Sequence, residues 1–158
     1  VINTNDEEMY FSIGAHPAFN CNLGDTLTFE YDETLYSERI DRDSVITGDK
    51  DLILQNSNKI ELTEHLFDKD ALIFSNVKSN YVILNEKKAG KHIRFTFGDS
   101  PFLAIWAKPA APFVCIEPWY GVNDSYEKTT DFSKKRGIQK LSSDEKFEFS
   151  WSAEFKED

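Results

Sequence analysis

The sequence is poor in cations: 18 lysines and arginines face 28 aspartates and glutamates, a formal net charge of −10 over 158 residues. A surplus of carboxylates repels a phosphate backbone, and the longest basic run is Lys134-Lys135-Arg136, so no nucleic acid partner is expected. Apolar runs of the roughly 18–20 residues needed to span a bilayer are missing, and the opening VINTNDEEMYF lacks the basic end and apolar stretch of a leader. No membrane association is expected. Cysteine is scarce as well: Cys21 and Cys115, far apart and in apolar surroundings, read as free thiols of a cytoplasmic protein rather than a secreted disulfide framework. The three histidines, His16, His65 and His92, lack ligand-type spacing, so no metal is expected. Glycine-rich phosphate loops, nucleophile elbows and dinucleotide fingerprints are likewise missing.

What is present is apolar and aromatic. Hydrophobic residues make up 40% of the chain and aromatics 14%, which excludes a disordered tail. A single domain of this length buries roughly 68–70% of its unfolded surface and needs no staple. Period-two alternation dominates. Phe147, Phe149, Trp151, Ala153 and Phe155 interleave with polar residues and predict one half-buried strand. Residues 26–31 and 92–97 alternate in the same way. Runs rich in β-branched and aromatic residues at 10–13, 71–75, 81–84, 102–107 and 113–117 predict strands buried on both faces. Turns are expected at Gly24-Asp25, Gly48-Asp49, Glu86 to Gly90, Gly98 to Pro101 and Pro109 to Pro112. One helical turn is expected after Leu62, capped by Thr63. The whole predicts an all-β antiparallel sandwich.

Two segments carry groups suited to proton transfer. In Phe11 to Phe19, His16 follows Gly14-Ala15 and precedes Pro17, so it leaves a strand at a fixed bend where an imidazole can be aimed. A histidine hydrogen-bonded in a turn is the plain alternative. In Phe113-Val-Cys-Ile-Glu-Pro-Trp119, Glu117 ends an apolar strand, and loss of hydration there raises a carboxylate toward the range of a general base. A surface glutamate at a strand end is the alternative. Trp106, Trp119, Tyr120 and Phe19 lie near both segments and offer flat faces to the C–H face of a sugar ring, although aromatics in a sandwich commonly fill the core.

In this order, FSIGAHPAF, LFDKDALIF, IWAKPAAPFVCIEPWYGVND and KRGIQKLSSDEKFEFSWSAEF resemble the aldose 1-epimerases (galactose mutarotase-like), with the LacX-type branch nearest. The resemblance implies that residues 1–158 are the C-terminal portion of one longer β supersandwich domain, in agreement with a first residue that is Val rather than Met. It implies interconversion of the α and β anomers of an aldose, a small-molecule sugar partner and no cofactor. His16 takes the place of the general acid at the ring oxygen, Glu117 that of the base at the anomeric hydroxyl. Asp70, with Asp68 two residues away, takes the place of an aspartate that binds sugar hydroxyls, and Trp106 and Trp119 are expected to flank the substrate. An arginine and a second histidine of the family's first half have no counterpart here. Competing readings are a non-catalytic carbohydrate-binding sandwich, a glycosidase, which ordinarily uses two carboxylates, and a hexose 6-phosphate epimerase. The negative charge and the lack of a clustered basic pocket speak against the last.

Overall fold

The computed structural model describes residues 1–87, 90–127 and 129–157. Alternation builds nearly all of it. The first strands are β1 (Met9–Phe11), β2 (Ile13–Gly14), β3 (Ala18–Asn20), β4 (Thr26–Ile40) and β5 (Ile46–Glu61). They are followed by β6 (Leu72–Ser75), β7 (Tyr81–Asn85), β8 (Lys91–Thr96), β9 (Phe102–Trp106) and β10 (Phe113–Tyr120). A short 3-10 helix (Phe132–Lys134), β11 (Gln139–Leu141) and β12 (Ser152–Glu157) complete the described chain.

One large antiparallel sheet runs in the order β12-β8-β7-β4-β6-β9-β10-β2, with β3 also on β10 and β5 also on β4. The long strand β4 joins its two wings. Its first residues pair with β7 (Thr26 with Asn85 through Phe29 with Val82), whereas its far end pairs with β6 at Glu38 and Ile73. Between them the register against β5 shifts at Thr28/Glu33, and such bulges bend a strand and increase its twist. Buried Glu33 stitches the bend: its Oε1 accepts from the Lys78 N–H at 3.0 Å and from the Ser79 N–H and hydroxyl at 2.8 Å each.

Because β4 bends, the wings close on each other and the sheet curls into a sandwich. Phe95 of β8 meets Phe19 of β3 with ring centroids 5.6 Å apart, although the two strands lie near opposite ends of the sheet path. Leu27, Phe29, Phe74, Val82, Leu84, Phe95, Leu103, Ile105, Val114 and Ile116 fill the core between them. A smaller cluster of Ile46, Ile73, Phe102, Ala104 and Val122 lies on the other face of β6 and β9.

Three local expectations are corrected. Gly48-Asp49 is no turn but lies inside β5; the hairpin turns at residues 41–45, where the Asp41 carboxylate accepts from the Asp43 and Val45 N–H groups at 2.9 Å. The segment after Leu62 forms successive i to i+3 turns rather than a helix, with Leu66, Asp68 and Asp70 donating to Thr63, His65 and Phe67. The C-terminal strand starts only at Ser152; before it, Phe147 and Phe149 leave the ladder to stack on Tyr120 at 5.0 Å. Of the expected Glu86 to Gly90 turn, residues 88 and 89 lie outside the described residues.

The alternation at the C-terminus is also less buried than its pattern implies. Phe155 is 70% exposed while Phe95 is fully buried. Phe95→Ala is therefore expected to cost about 3–5 kcal/mol in denaturant unfolding of this chain, the usual range for a deleted core ring. Phe155→Ala should cost less than about 1 kcal/mol, as surface substitutions do. Equal losses would show that the sheet end is packed differently.

Candidate active site

Strand β10 sorts its side chains by parity. Val114 and Ile116 enter the main core, and the alternate residues Cys115, Glu117 and Trp119 share the opposite face. On one side β9 sets Ala104 opposite Glu117, so a methyl group is all that stands beside the carboxylate. On the other side β10 pairs with β2 at Trp119–Gly14 and with β3 at Cys115–Ala18. Continuing the register from either end places His16 directly opposite Glu117.

Backbone bonds fix the bend that carries His16. The Ala15 N–H donates to the Pro118 carbonyl at 3.0 Å, and Pro17, which has no N–H of its own, accepts from Ile116 at 3.2 Å. Gly14 is required for the fit: a Cβ there would lie 2.7 Å from Trp119 Cδ1. His16 Nδ1 then lies 3.5 Å from Glu117 Oε1. The imidazole is 62% exposed while the carboxylate is only 5% exposed. Trp106 stands edge-on to His16 at 6.3 Å between centroids.

Burial governs the electrostatics. Desolvation raises the Glu117 pKa above the ordinary glutamate value, and the neighbouring His16 charge and a side-chain hydrogen bond from Trp119 oppose that rise without cancelling it. Cys115, on the same face, is pushed up to about 11, first by burial and then by the Glu117 charge. It is a protonated thiol near neutral pH. His16, Cys115 and Glu117 each present a donor atom, all within 4.8 Å of one another.

His16, Glu117 and Trp119 line a cavity of about 410 Å³ together with Gly14, Val122, Asn123 and Lys135. Asn123 and Lys135 also line a larger neighbouring cavity of about 730 Å³, whose walls include Glu38, Lys50, Lys134 and Arg136. The structure thus gathers four of the five residues singled out from the sequence. The fifth, Asp70, stands at the start of β6, two strands away from β10. Its carboxylate accepts from the Ala71 N–H at 2.7 Å, and its backbone has a positive φ of 81°.

Sequence reasoning missed the buried Glu38, which stands in the same cross-strand row as Ile73, Ala104 and Glu117. Its Oε2 accepts from Arg136 Nη2 at 2.8 Å. It also missed that the fold builds a basic wall from Lys50 and residues 134–136, where the sequence shows no clustered pocket. Three of those cations are ion-paired, Lys134 to Asp131 at 3.1 Å, and Lys135 to Asp124 and Arg136 to Glu38, each at 2.8 Å. Gly137 docks the basic run, since a Cβ there would lie 2.6 Å from Phe102. A glycine just after a basic run was the available signal.

Residues 1–146 match the sequence profile of aldose 1-epimerase. The chain belongs to the aldose 1-epimerase family. Two LacX proteins of Lactococcus lactis subsp. lactis, one plasmid-borne and one chromosomal, are each 34% identical over 146 residues, 86% of this chain and 49% of theirs. The chain therefore spans about half the length of the curated relatives it matches. A galactose mutarotase related enzyme from Lactobacillus acidophilus superposes with a TM-score of 0.88 at 28% identity, covering 98% of this chain and 55% of that one. A galactose mutarotase-like protein from Lactobacillus casei gives 0.87 at 28% identity, covering 98% and 56%. The curled antiparallel sheet of this epimerase-family chain is thus the galactose mutarotase-like fold. Among the described residues, no helix is long and apolar enough to cross a membrane.

The raised Glu117 pKa sets the sign of a stability effect. The folded state holds this proton more tightly than the unfolded chain, so the contribution of Glu117 is fully present below the unfolded value and is lost as pH rises through the higher folded value. An amide never ionises. Glu117→Gln should therefore be more stable than the parent at neutral pH, with the difference vanishing in acid where Glu117 is protonated. Thermal melts across pH check this; a variant less stable at neutral pH would contradict it.

Proposed function

We propose that the protein of which this chain forms part interconverts the α and β anomers of an aldose. The single observation that carries this reading is a buried carboxylate with a raised pKa, Glu117, paired with an exposed imidazole, His16, 3.5 Å away, both on the wall of a cavity of about 410 Å³. Family membership supports sugar isomerisation as the class of reaction.

In this reading Glu117 takes the proton of the anomeric hydroxyl while His16 donates one to the ring oxygen, and the bond between the anomeric carbon and the ring oxygen opens. After rotation about C1–C2, the same two groups run in reverse and close the ring on the other face of the carbonyl. Desolvation makes Glu117 a stronger base than an exposed glutamate, and His16 keeps contact with solvent, through which it recovers its proton. Trp106 and Trp119 flank the pair and offer apolar faces to the sugar, and Asp70, just before β6, binds hydroxyls on the part of the sugar that reaches beyond this cavity. No cofactor enters the steps. Residues 1–158 supply the acid and base as the C-terminal portion of the domain, and the remaining cleft wall comes from the rest of the polypeptide. The protein acts on its sugar in the cytoplasm.

A second reading, a hexose 6-phosphate substrate, is favoured by one observation: the basic wall of Lys50, Lys134, Lys135 and Arg136 adjoins the catalytic cavity through Asn123 and Lys135. The pairing of Lys134, Lys135 and Arg136 with carboxylates weakens its pull on a phosphate. Unphosphorylated aldoses remain the first choice.

Polarimetry on freshly dissolved α-glucose or α-galactose, and on the 6-phosphates, tests both readings with the full-length protein. Glu117→Gln should lower kcat/KM by roughly 10²–10⁴-fold, the usual worth of a general base. In the parent, kcat/KM should fall toward acid as Glu117 takes up a proton, along a limb displaced upward from the ordinary glutamate value. Full activity in the Gln variant would remove Glu117 from the mechanism. The 158-residue chain alone should be a much poorer catalyst than the intact polypeptide, and equal rates would show that it holds a complete site.

A further inference from the structure

Cys115 takes no part in the acid–base chemistry above, yet it sits beside both groups. We propose that His16, Cys115 and Glu117 bind a divalent cation of the borderline-soft class, zinc first among them, and that the ion occupies the place of the reacting sugar.

The donor set argues for this chemistry. One imidazole nitrogen, one thiolate sulfur and one carboxylate oxygen make a three-ligand zinc set that leaves a fourth position open. Calcium and magnesium, which require oxygen ligands, do not suit it. Zinc bonds of about 2.0–2.3 Å at tetrahedral angles separate neighbouring ligand atoms by roughly 3.3–3.8 Å. The distance from His16 Nδ1 to Glu117 Oε1 is 3.5 Å, and all three donor atoms lie within 4.8 Å of one another. Small side-chain adjustments then bring the set to bonding distance.

Charge and placement agree. A dication bound by one thiolate and one carboxylate forms a neutral unit, so this half-buried face carries no net charge when loaded. Coordination breaks the S–H bond of Cys115, forms a zinc–sulfur bond and releases one proton to solvent, which makes binding stronger as pH rises. Cys115 and Glu117 share one face of β10, and His16 comes from the bend between β2 and β3 that the strand ladder holds in place. The exposed His16 ring and the adjoining cavity give the ion a path and leave room for a water at the fourth position. Histidine spacing alone could not reveal such a site, because it takes one histidine only.

The binding claim rests on donor geometry and is separate from the anomerisation reading; the two together make zinc an inhibitor competitive with sugar. Cobalt(II) and zinc, added alone to the full-length reduced protein, provide the test. One equivalent of cobalt should produce a thiolate-to-cobalt charge-transfer band, and one equivalent of zinc should bleach it. Cys115→Ser should lose the band and bind zinc at least about tenfold more weakly, since even outer-shell partners are worth 10–100-fold. His16→Ala, altering an exposed side chain, should weaken zinc to a similar extent without unfolding the protein. Cys21→Ser should retain both band and affinity. A parent protein without the charge-transfer band, or a band that survives in Cys115→Ser, would overturn the site. Competitive zinc inhibition is the further expected result with an active protein, and an inactive protein that shows the band would count against the anomerisation reading only.

Discussion

The desolvated carboxylate of Glu117 is the feature on which the rest of the arrangement depends. A buried unpaired carboxylate is costly, and here the cost is moderated by His16, by the Trp119 side-chain hydrogen bond and by a cavity on one side. Each of those supports requires a particular piece of sheet. The ladder to β9 fixes the Glu117 backbone and sets Ala104 beside it, and the interrupted ladder to β2 and β3 sets His16 opposite. The two prolines fall where the interruption occurs, at Pro17 and Pro118, and each still accepts a backbone hydrogen bond. A continuous strand in place of the bend would have spent the His16 position on ladder formation.

The curl of the sheet then decides which face becomes a cleft. β4 exchanges β7 for β6 at a bulge held by Glu33, so one face closes around the large core and the other remains open above the cluster of Ile73, Phe102 and Ala104. On that open face the row Glu38–Ile73–Ala104–Glu117 has a carboxylate at each end. Their treatment differs. Glu38 is neutralised by Arg136, an ion pair with a second contact from Ser75, whereas Glu117 has beside it the exposed imidazole of His16 and a side-chain hydrogen bond from Trp119. One carboxylate is held in an ion pair with a guanidinium, the other is desolvated beside an imidazole.

Much of this was legible in the sequence. Alternation marked the near half of β4 and all of β8, β-branched and aromatic runs marked β6, β7, β9 and β10, and the apolar neighbours of Glu117 announced its desolvation. The opposition of His16 and Glu117 was not readable from spacing, since 100 residues separate them and only pairing on β10 brings them together; motif resemblance supplied it. The far half of β4 and all of β5 escaped notice because they are largely polar on exposed faces, as in TGDKD and QNSNK, and their pairing with each other, not local propensity, makes them strands. The C-terminal run was the reverse case. Its alternation is regular, but the Phe147 backbone bonds to Val1 and the rings of Phe147 and Phe149 pack on Tyr120, so the strand on β8 begins only at Ser152, and Phe155 near its end is exposed.

The central claim is that burial raises the Glu117 proton affinity and His16 restrains it. Carbon-13 NMR titration of the Glu117 carboxyl in the full-length protein, with and without His16→Ala, measures both terms at once. The expected result is a pKa above the ordinary glutamate value in the parent and a further rise when the imidazole is removed, because the charge that favours the carboxylate has gone. A Glu117 that titrates at the ordinary value and is unmoved by His16→Ala would contradict the account.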